Sequence, residues 1–259
     1  MLIDTHFHLD LMENMQALIQ DFRSSDIGVM AVGTTPQAFE REIQFCSGVS
    51  NIKVGLGFHP QIVKERAQEI DLLLSLIPAA GLIGEVGLDY NSAYASSMEQ
   101  QLSCFRKAAK TCADYGNKIL SIHSAKAAGK TIDELEIAGT FRSCVCIFHW
   151  FTGTGTELKR AVKNGAYFSI NPKMLRTKSG QEIIKTIPEQ SILLETDAPF
   201  TAKYESAEQL KQDLIFLVDK ISRLRNQDMV DTIERNSTQV FGYYRYQQQL
   251  LYSPQKPPN

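Results

Sequence analysis

Short apolar runs alternate with segments of helical period from one end of this chain to the other. Runs at residues 2–6, 29–34, 52–58, 82–86, 118–123, 144–149, 166–170 and 191–196 are rich in Val, Ile, Leu and Phe and carry few charges. That pattern predicts strands buried on both faces. Between them, apolar positions recur with helical spacing at 12–24, 36–46, 62–76, 96–115, 126–138, 156–164 and 180–186, and two longer helices follow at 207–225 and 228–246. Gly28, Gly81, Gly116 and Gly165 stand where a helix must stop before the next strand, as left-handed caps do. Strands that alternate with helices predict a parallel sheet. Eight of them in 259 residues predict an α/β fold of TIM type, a closed (β/α)8 barrel. The expectation is one domain over residues 1–252, with a polar, Pro-rich and mobile tail at 253–259.

Composition keeps that picture and narrows the function. Hydrophobic residues make up 43% and charged residues 22%, as in an ordinary globular protein. A net charge of −2 gives no overall basic field to attract nucleic acid, so any contact with a polyanion must be local. No apolar run reaches the roughly 18 residues that span a bilayer, and no basic and apolar leader precedes the first strand, so no membrane partner is expected. The cysteines (Cys46, Cys104, Cys112, Cys144 and Cys146) form no CxxC pair and read as reduced, mostly buried small hydrophobes, which fits a cytoplasmic protein.

The chemistry lies in where the histidines fall. His6 and His8 close the first predicted strand, His59 the third, His123 the fifth and His149 the sixth, and these five are all the histidines present. Glu85 closes the fourth strand and Asp197 the eighth. In a parallel barrel these ends open on one face, where the active sites of such barrels lie. His6 and His8, two apart on a strand, share a side, and neutral imidazoles held side by side grip a divalent cation. Taken singly, each residue has a plainer reading as a polar strand end, an N-cap or a turn residue. Seven such residues at matching ends, with no histidine on a helix, predict a metal centre. His6, His8, His123, His149, Glu85 and Asp197 suit two metals better than one. A carboxylate bridging ions roughly 3.5–4 Å apart is the arrangement used for displacement at phosphorus. Glu85, midway in strand order, is the expected bridge. Asp197 is expected to bind one metal and accept a proton from water, and His59 to face the scissile group. Zinc, manganese and magnesium all remain open.

The motifs His6-Phe7-His8, Gly57-Phe58-His59-Pro60, Gly84-Glu85-Val86-Gly87-Leu88-Asp89-Tyr90, Ile122-His123, His149-Trp150-Phe151-Thr152-Gly153 and Glu195-Thr196-Asp197-Ala198-Pro199 resemble, in the same order, those of the TatD family. Asn236-Ser237-Thr238-Gln239-Val240-Phe241 is similar to its usual ending. The resemblance implies a metal-dependent, DNase-like hydrolase on an amidohydrolase-type barrel, with the metals on His6, His8, Glu85, His123, His149 and Asp197. It also implies a DNA substrate, as single strands or ends, or a small phosphodiester. Residues 168–175 are similar to the TatD-like nucleases of Qat-type anti-phage systems, which implies partner proteins from a defence operon. Two departures stand out. Ala125 occupies a place that is usually basic, with Lys126 one step on, and residues 200–205 replace an Arg- and Asn-Pro-containing loop. The cations left near the barrel mouth are then Lys126, Lys173, Arg176 and Lys203. Two other readings compete with nuclease action. An amidohydrolase cutting a small cyclic amide or ester would share the barrel, but Glu85 holds the place of a bridging lysine. A metal-bearing scaffold subunit would explain the lost cations, and the complete ligand set opposes it.

Overall fold

Each apolar run of the sequence becomes one stave of a closed barrel. The computed structural model describes residues 1–252, with side chains through residue 243, and the tail expected at 253–259 lies outside the described residues. The staves are β1 (Ile3–Phe7), β2 (Gly28–Ala31), β3 (Ile52–Leu56), β4 (Leu82–Gly87), β5 (Ile119–His123), β6 (Val145–His149), β7 (Tyr167–Ile170) and β8 (Ile192–Leu194). They pair in sequence order, all parallel, and β8 returns to β1 with Asp4 opposite Leu194. Three runs leave the ladder sooner than expected. The residues after β3 turn toward the pocket instead, where Phe58 N–H donates to Glu85 O and His59 N–H to Thr34 O.

Ten helices surround the barrel among the described residues: α1 (Met15–Ser24), α2 (Phe39–Phe45), α3 (Ile70–Leu76), α4 (Met98–Tyr115), α5 (Ala128–Ala138), α6 (Thr140–Ser143), α7 (Gly155–Lys163), α8 (Lys178–Thr186), α9 (Ala207–Arg225) and α10 (Val230–Tyr252). Their apolar stripes face inward. On α9 the buried Leu210, Leu214, Leu217 and Ile221 recur every three or four residues. Ser206 caps its start and Asn226, left-handed at φ 50°, ends it. The expected helix at 62–76 is real only over its last half. Between Ile62 and Ile70 the chain is polar apart from Val63 and Ala67, and it forms turns and one short 3-10 turn of helix braced by the Arg66–Glu69 ion pair. Gly116 and Gly165 take positive φ, Gly116 with an extended ψ of 179° rather than that of a left-handed cap, and Gly28 and Gly81 do not. Gly28 lies within β2 instead, where a Cβ would stand 3.3 Å from both Ile3 and Phe241.

Two cores result. Outside the strands, Phe7, Val29, Val54, Phe148 and Phe168 pack with the helices. At the N-terminal end, Ile3, Met30, Leu82, Ile119, Ile147 and Leu193, one from each of six strands, meet Val240 and Phe241 of α10. Burial of each such side chain stabilises the fold by roughly 1.5–3 kcal/mol. The same period of two then carries the strands to the open end with polar residues: Ile119 gives way to Ser121 and His123, Ile147 to His149, and Leu193 to Glu195.

At the open end, glycine sets the approach of three strands. A Cβ on Gly57 would lie 1.6 Å from Gly33 O and 2.8 Å from Glu85 N. Gly57→Ala is therefore expected to destabilise by upward of about 3 kcal/mol, since backbone has no room to yield. Gly155→Ala, at the first turn of α7 with nothing within 4 Å, should lie within about 1 kcal/mol of the parent. Melting temperatures of the two variants check the contrast, and equal values would contradict it.

Candidate metal centre

The carboxylate of Glu85 is the hub of the open end. Its Oε2 lies 3.4 Å from His6 Nε2, 3.2 Å from His8 Nε2 and 3.2 Å from His59 Nε2. Its Oε1 lies 2.5 Å from His123 Nδ1 and 2.9 Å from His149 Nε2. All five histidines expected at strand ends thus converge on one side chain that is 1% exposed. Asp197 Oδ1 stands at the edge of the first group, 3.7 Å from His6 Nε2 and 3.6 Å from His8 Nε2. Among the described residues, three sets of ligand atoms lie close enough to hold an ion: His6, His8 and Glu85; His59, Glu85 and His123; and His6, His149 and Glu195.

The nitrogens that face away from the hub sort the histidines. His6 Nδ1 lies 2.7 Å from Ser121 Oγ, and His123 Nε2 lies 3.1 Å from Asp89 Oδ2. His149 Nδ1 faces Glu195 Oε1 at 3.6 Å and His8 Nδ1 faces Asp10 Oδ1 at 4.0 Å. Ser121 and Asp89 can accept the outer N–H of His6 and His123, which leaves the inner lone pair free for a cation, while Glu195 and Asp10 face their rings from beyond hydrogen-bond distance. His59 is the reverse case. Its Nδ1 accepts the backbone N–H of Gln61 at 3.2 Å, so a neutral ring carries its proton on Nε2, toward Glu85. As a donor it does not suit a metal, and its place in the second ligand set is one of proximity.

Asp89 and Glu195 were given no role in the sequence reading, yet each holds part of the centre. Glu195 accepts from Trp150 N–H and Asn171 Nδ2, both at 3.0 Å, and from Ser169 Oγ. Asp89 accepts from Gln61 Nε2 at 2.8 Å as well as facing His123. One signal was available: Glu195 stands two before Asp197, the spacing that paired His6 with His8. Residues 168–175 also find their place here. Ser169 and Asn171 bind Glu195, and Asn171 Oδ1 accepts from the backbone of Lys173 and Met174.

Burial and charge compete throughout. Burial alone would raise the Glu85 carboxyl, but His59, His149, His6 and His123 outweigh it and hold it well below the usual range. Burial pushes the Asp197 carboxyl up to about 7. Burial also lowers His6 and His59. It opposes charge on His149 too, yet Glu85 and Glu195 raise that ring well above its ordinary range.

The centre opens on a cavity of about 420 Å³ lined by Glu85, Asp89, Asp197, Trp150, Lys173 and Phe200, among others. Of the four cations expected near the mouth, only Lys173 lines it. The Lys203 ammonium is bonded to Glu13 at 2.8 Å, and Lys126 and Arg176 stand outside the lining. The loop at 200–205 leads through the cap Ser206 into α9 at Ala207, where the helix at 207–225 was expected.

A family model described as TatD related DNase matches residues 3–242. The putative deoxyribonuclease TATDN3 of Mus musculus is 26% identical, over 96% of this chain and 90% of its own length. The 3'-5' ssDNA/RNA exonuclease TatD of Escherichia coli is also 26% identical, over 83% of this chain and 87% of its own length. In fold, the solved structure of the TatD homolog YjjV of Escherichia coli superposes with a TM-score of 0.79 at 20% identity, covering 93% of this chain and 98% of that one.

The outward hydrogen bonds lead to a spectroscopic expectation. Nitrogen-15 NMR should find His59 neutral near its ordinary titration point, with a bare Nδ1 and a proton on Nε2. A proton on His59 Nδ1 would contradict this assignment.

Proposed function

This chain belongs to the TatD related DNase family, and from that premise we propose that its centre hydrolyses phosphodiester bonds of DNA with two divalent cations. The observation that carries the reading is the division of Glu85: Oε2 serves the His6 and His8 side, Oε1 the His123 and His149 side. His6, His8 and Asp197 would hold one cation, His123 and His149 the other, and Glu85 both. The donor set fits, since four imidazoles turn a lone pair inward and two carboxylates complete the charge. Bound there, divalent cations supply the positive charge that polarises a phosphate and eases ionisation of water.

The chain's own residues supply the rest. Asp197, at the cavity wall with its carboxyl held up by burial, takes the proton of the attacking water. His59 turns its Nε2–H toward Glu85, and with Glu85 engaged by cations that donor would be released to a phosphoryl oxygen. Asp89 and Ser121 hold His123 and His6 in the tautomer that binds cations, and the Glu195 carboxylate facing His149 favours the same tautomer there. The exonuclease named among the relatives favours single strands and their ends as substrate. A small cyclic amide or ester is the weaker reading, because Glu85 stands where a bridging lysine would be.

Cleavage of a labelled single-stranded oligonucleotide should stop under chelation and return with Mn²⁺, Mg²⁺ or Zn²⁺. Elemental analysis should give two ions per chain, fewer in Glu85→Ala. Asp197→Asn should keep most of the metal and lose at least about a hundredfold in turnover. Circular dichroism separates these effects from unfolding. Cleavage that survives exhaustive chelation with no bound metal would overturn the proposal, and near-normal turnover in Asp197→Asn would remove its proton-accepting role.

A further inference from the structure

Phe200 is the single large hydrophobic side chain, among the described residues, that is both exposed (55%) and part of the lining of the catalytic cavity. Its ring meets His8 at 88°, with 5.2 Å between centroids, so it stands at right angles to a proposed metal ligand. Beside it, Lys173 Nζ donates to Phe200 O at 3.0 Å. The same ammonium lies 5.3 Å from the centre of the Trp150 ring. Trp150 follows His149 directly and is set at φ 40°, an uncommon conformation for a bulky residue, with its N–H held by Glu195 at 3.0 Å. The carboxylate that faces His149 therefore also fixes the ring against which the lysine rests. Metal ligands, aromatic wall and lysine form one connected unit.

Apart from its edge-on contact with His8, more than half of this ring is left in water beside a polar centre. Its chemistry suits the flat face of a nucleobase, which stacks on aromatic side chains whatever its identity. A base inside a duplex has both faces covered by its neighbours, so only an unpaired base can use the ring. Lys173 is tethered by its bond to Phe200 and its contact with Trp150, and it puts a positive charge at the cavity wall where that nucleotide's phosphate would lie. We propose that Phe200 is the stacking platform for the unpaired base next to the scissile phosphate, with Lys173, steadied by Trp150, facing the phosphate. Phe200 is then the residue that makes this enzyme prefer single-stranded ends. The inference rests on the nuclease reading above and adds to it the residues that select the substrate.

The test compares two oligonucleotides that differ only in the terminal nucleotide next to the cut, one with a base and one abasic. Rates are measured with Mn²⁺, and equilibrium binding is measured by anisotropy with Mn²⁺ in the Asp197→Asn background, where metal is kept and turnover is lost. The parent should favour the base-bearing end by roughly 5- to 150-fold, the span expected for one stacked base. Phe200→Ala should bring that ratio close to one, and Phe200→Tyr should keep it. Because the ratio is taken within each variant, a general loss of fold or metal does not imitate the result. A preference that survives in Phe200→Ala, or is absent from the parent, overturns the proposal. If the parent binds the base-bearing end more tightly but cuts neither strand, the platform stands and the nuclease reading falls.

Discussion

A buried carboxylate is tolerable only where positive charge or hydrogen bonds compensate its loss of water, and Glu85 is compensated from five sides. Everything at the open end follows from that need. The five histidines come from the ends of four strands, β1, β3, β5 and β6, so the barrel must close for them to meet. Three are in turn held from outside, His6 by Ser121, His123 by Asp89 and His59 by the Gln61 backbone, and Glu195 faces His149 at 3.6 Å. Loss of one outer partner would free a ring to rotate and leave Glu85 partly unpaired, so the outer residues matter nearly as much as the inner ones. The closed end does the opposite work. Its ring of Ile, Leu and Met under Phe241 fixes the strands, and so the depth at which their polar ends stop.

The rim carries further signs of this constraint. Left-handed backbone outside glycine occurs at Asn117, Lys126, Trp150, Asp197 and Asn226 among the described residues. Asn tolerates that conformation, and Asn226 uses it to end α9. The other three follow the open ends of β5, β6 and β8. Each sits where the chain must turn sharply after delivering a side chain to the pocket. Asp197 is pinned there by its N–H to His6 O and Trp150 by its N–H to Glu195. Local strain at functional positions of this kind persists only where the surroundings hold it.

The barrel and the inner ring of the centre were legible in the sequence because both follow from period two on buried strands. A histidine that ends such a run can face only the inside or the outside, and the apolar residues before it decide which. The outer residues were not legible, because nothing in a sequence says which oxygen a ring nitrogen will face. Glu195 shares its motif with Asp197, yet its partners Trp150, Ser169 and Asn171 lie far from it in the chain. Helix 62–76 was misread for a different reason. Apolar residues at its two ends suggested one element, while the charged middle, held by Arg66 and Glu69, turns instead. The short α6 escaped because four residues carry no period. The cations were misplaced because loop position alone does not say that Lys203 is already bonded to Glu13.

Where affinity for a phosphate resides is the remaining consequence. The cavity has three carboxylates in its lining, Glu85, Asp89 and Asp197, against one lysine. The chain as a whole carries a charge of −2, and Ala125 stands where the TatD family is usually basic. Under the nuclease reading, attraction to the substrate therefore cannot come from a basic surface. It must come from cations held around Glu85, helped by Lys173 alone. A surface that binds nucleic acid through many lysines gains affinity from released counterions and holds long duplexes without cutting them. A pocket whose positive charge arrives with the metal binds and cuts through the same ions. Without metal it presents an acidic mouth to an anionic chain, and with metal the same few side chains invert that sign. Binding and chemistry are then one event at one carboxylate, and recognition beyond it and Lys173 falls to contacts that carry no charge, such as the exposed ring of Phe200 against His8.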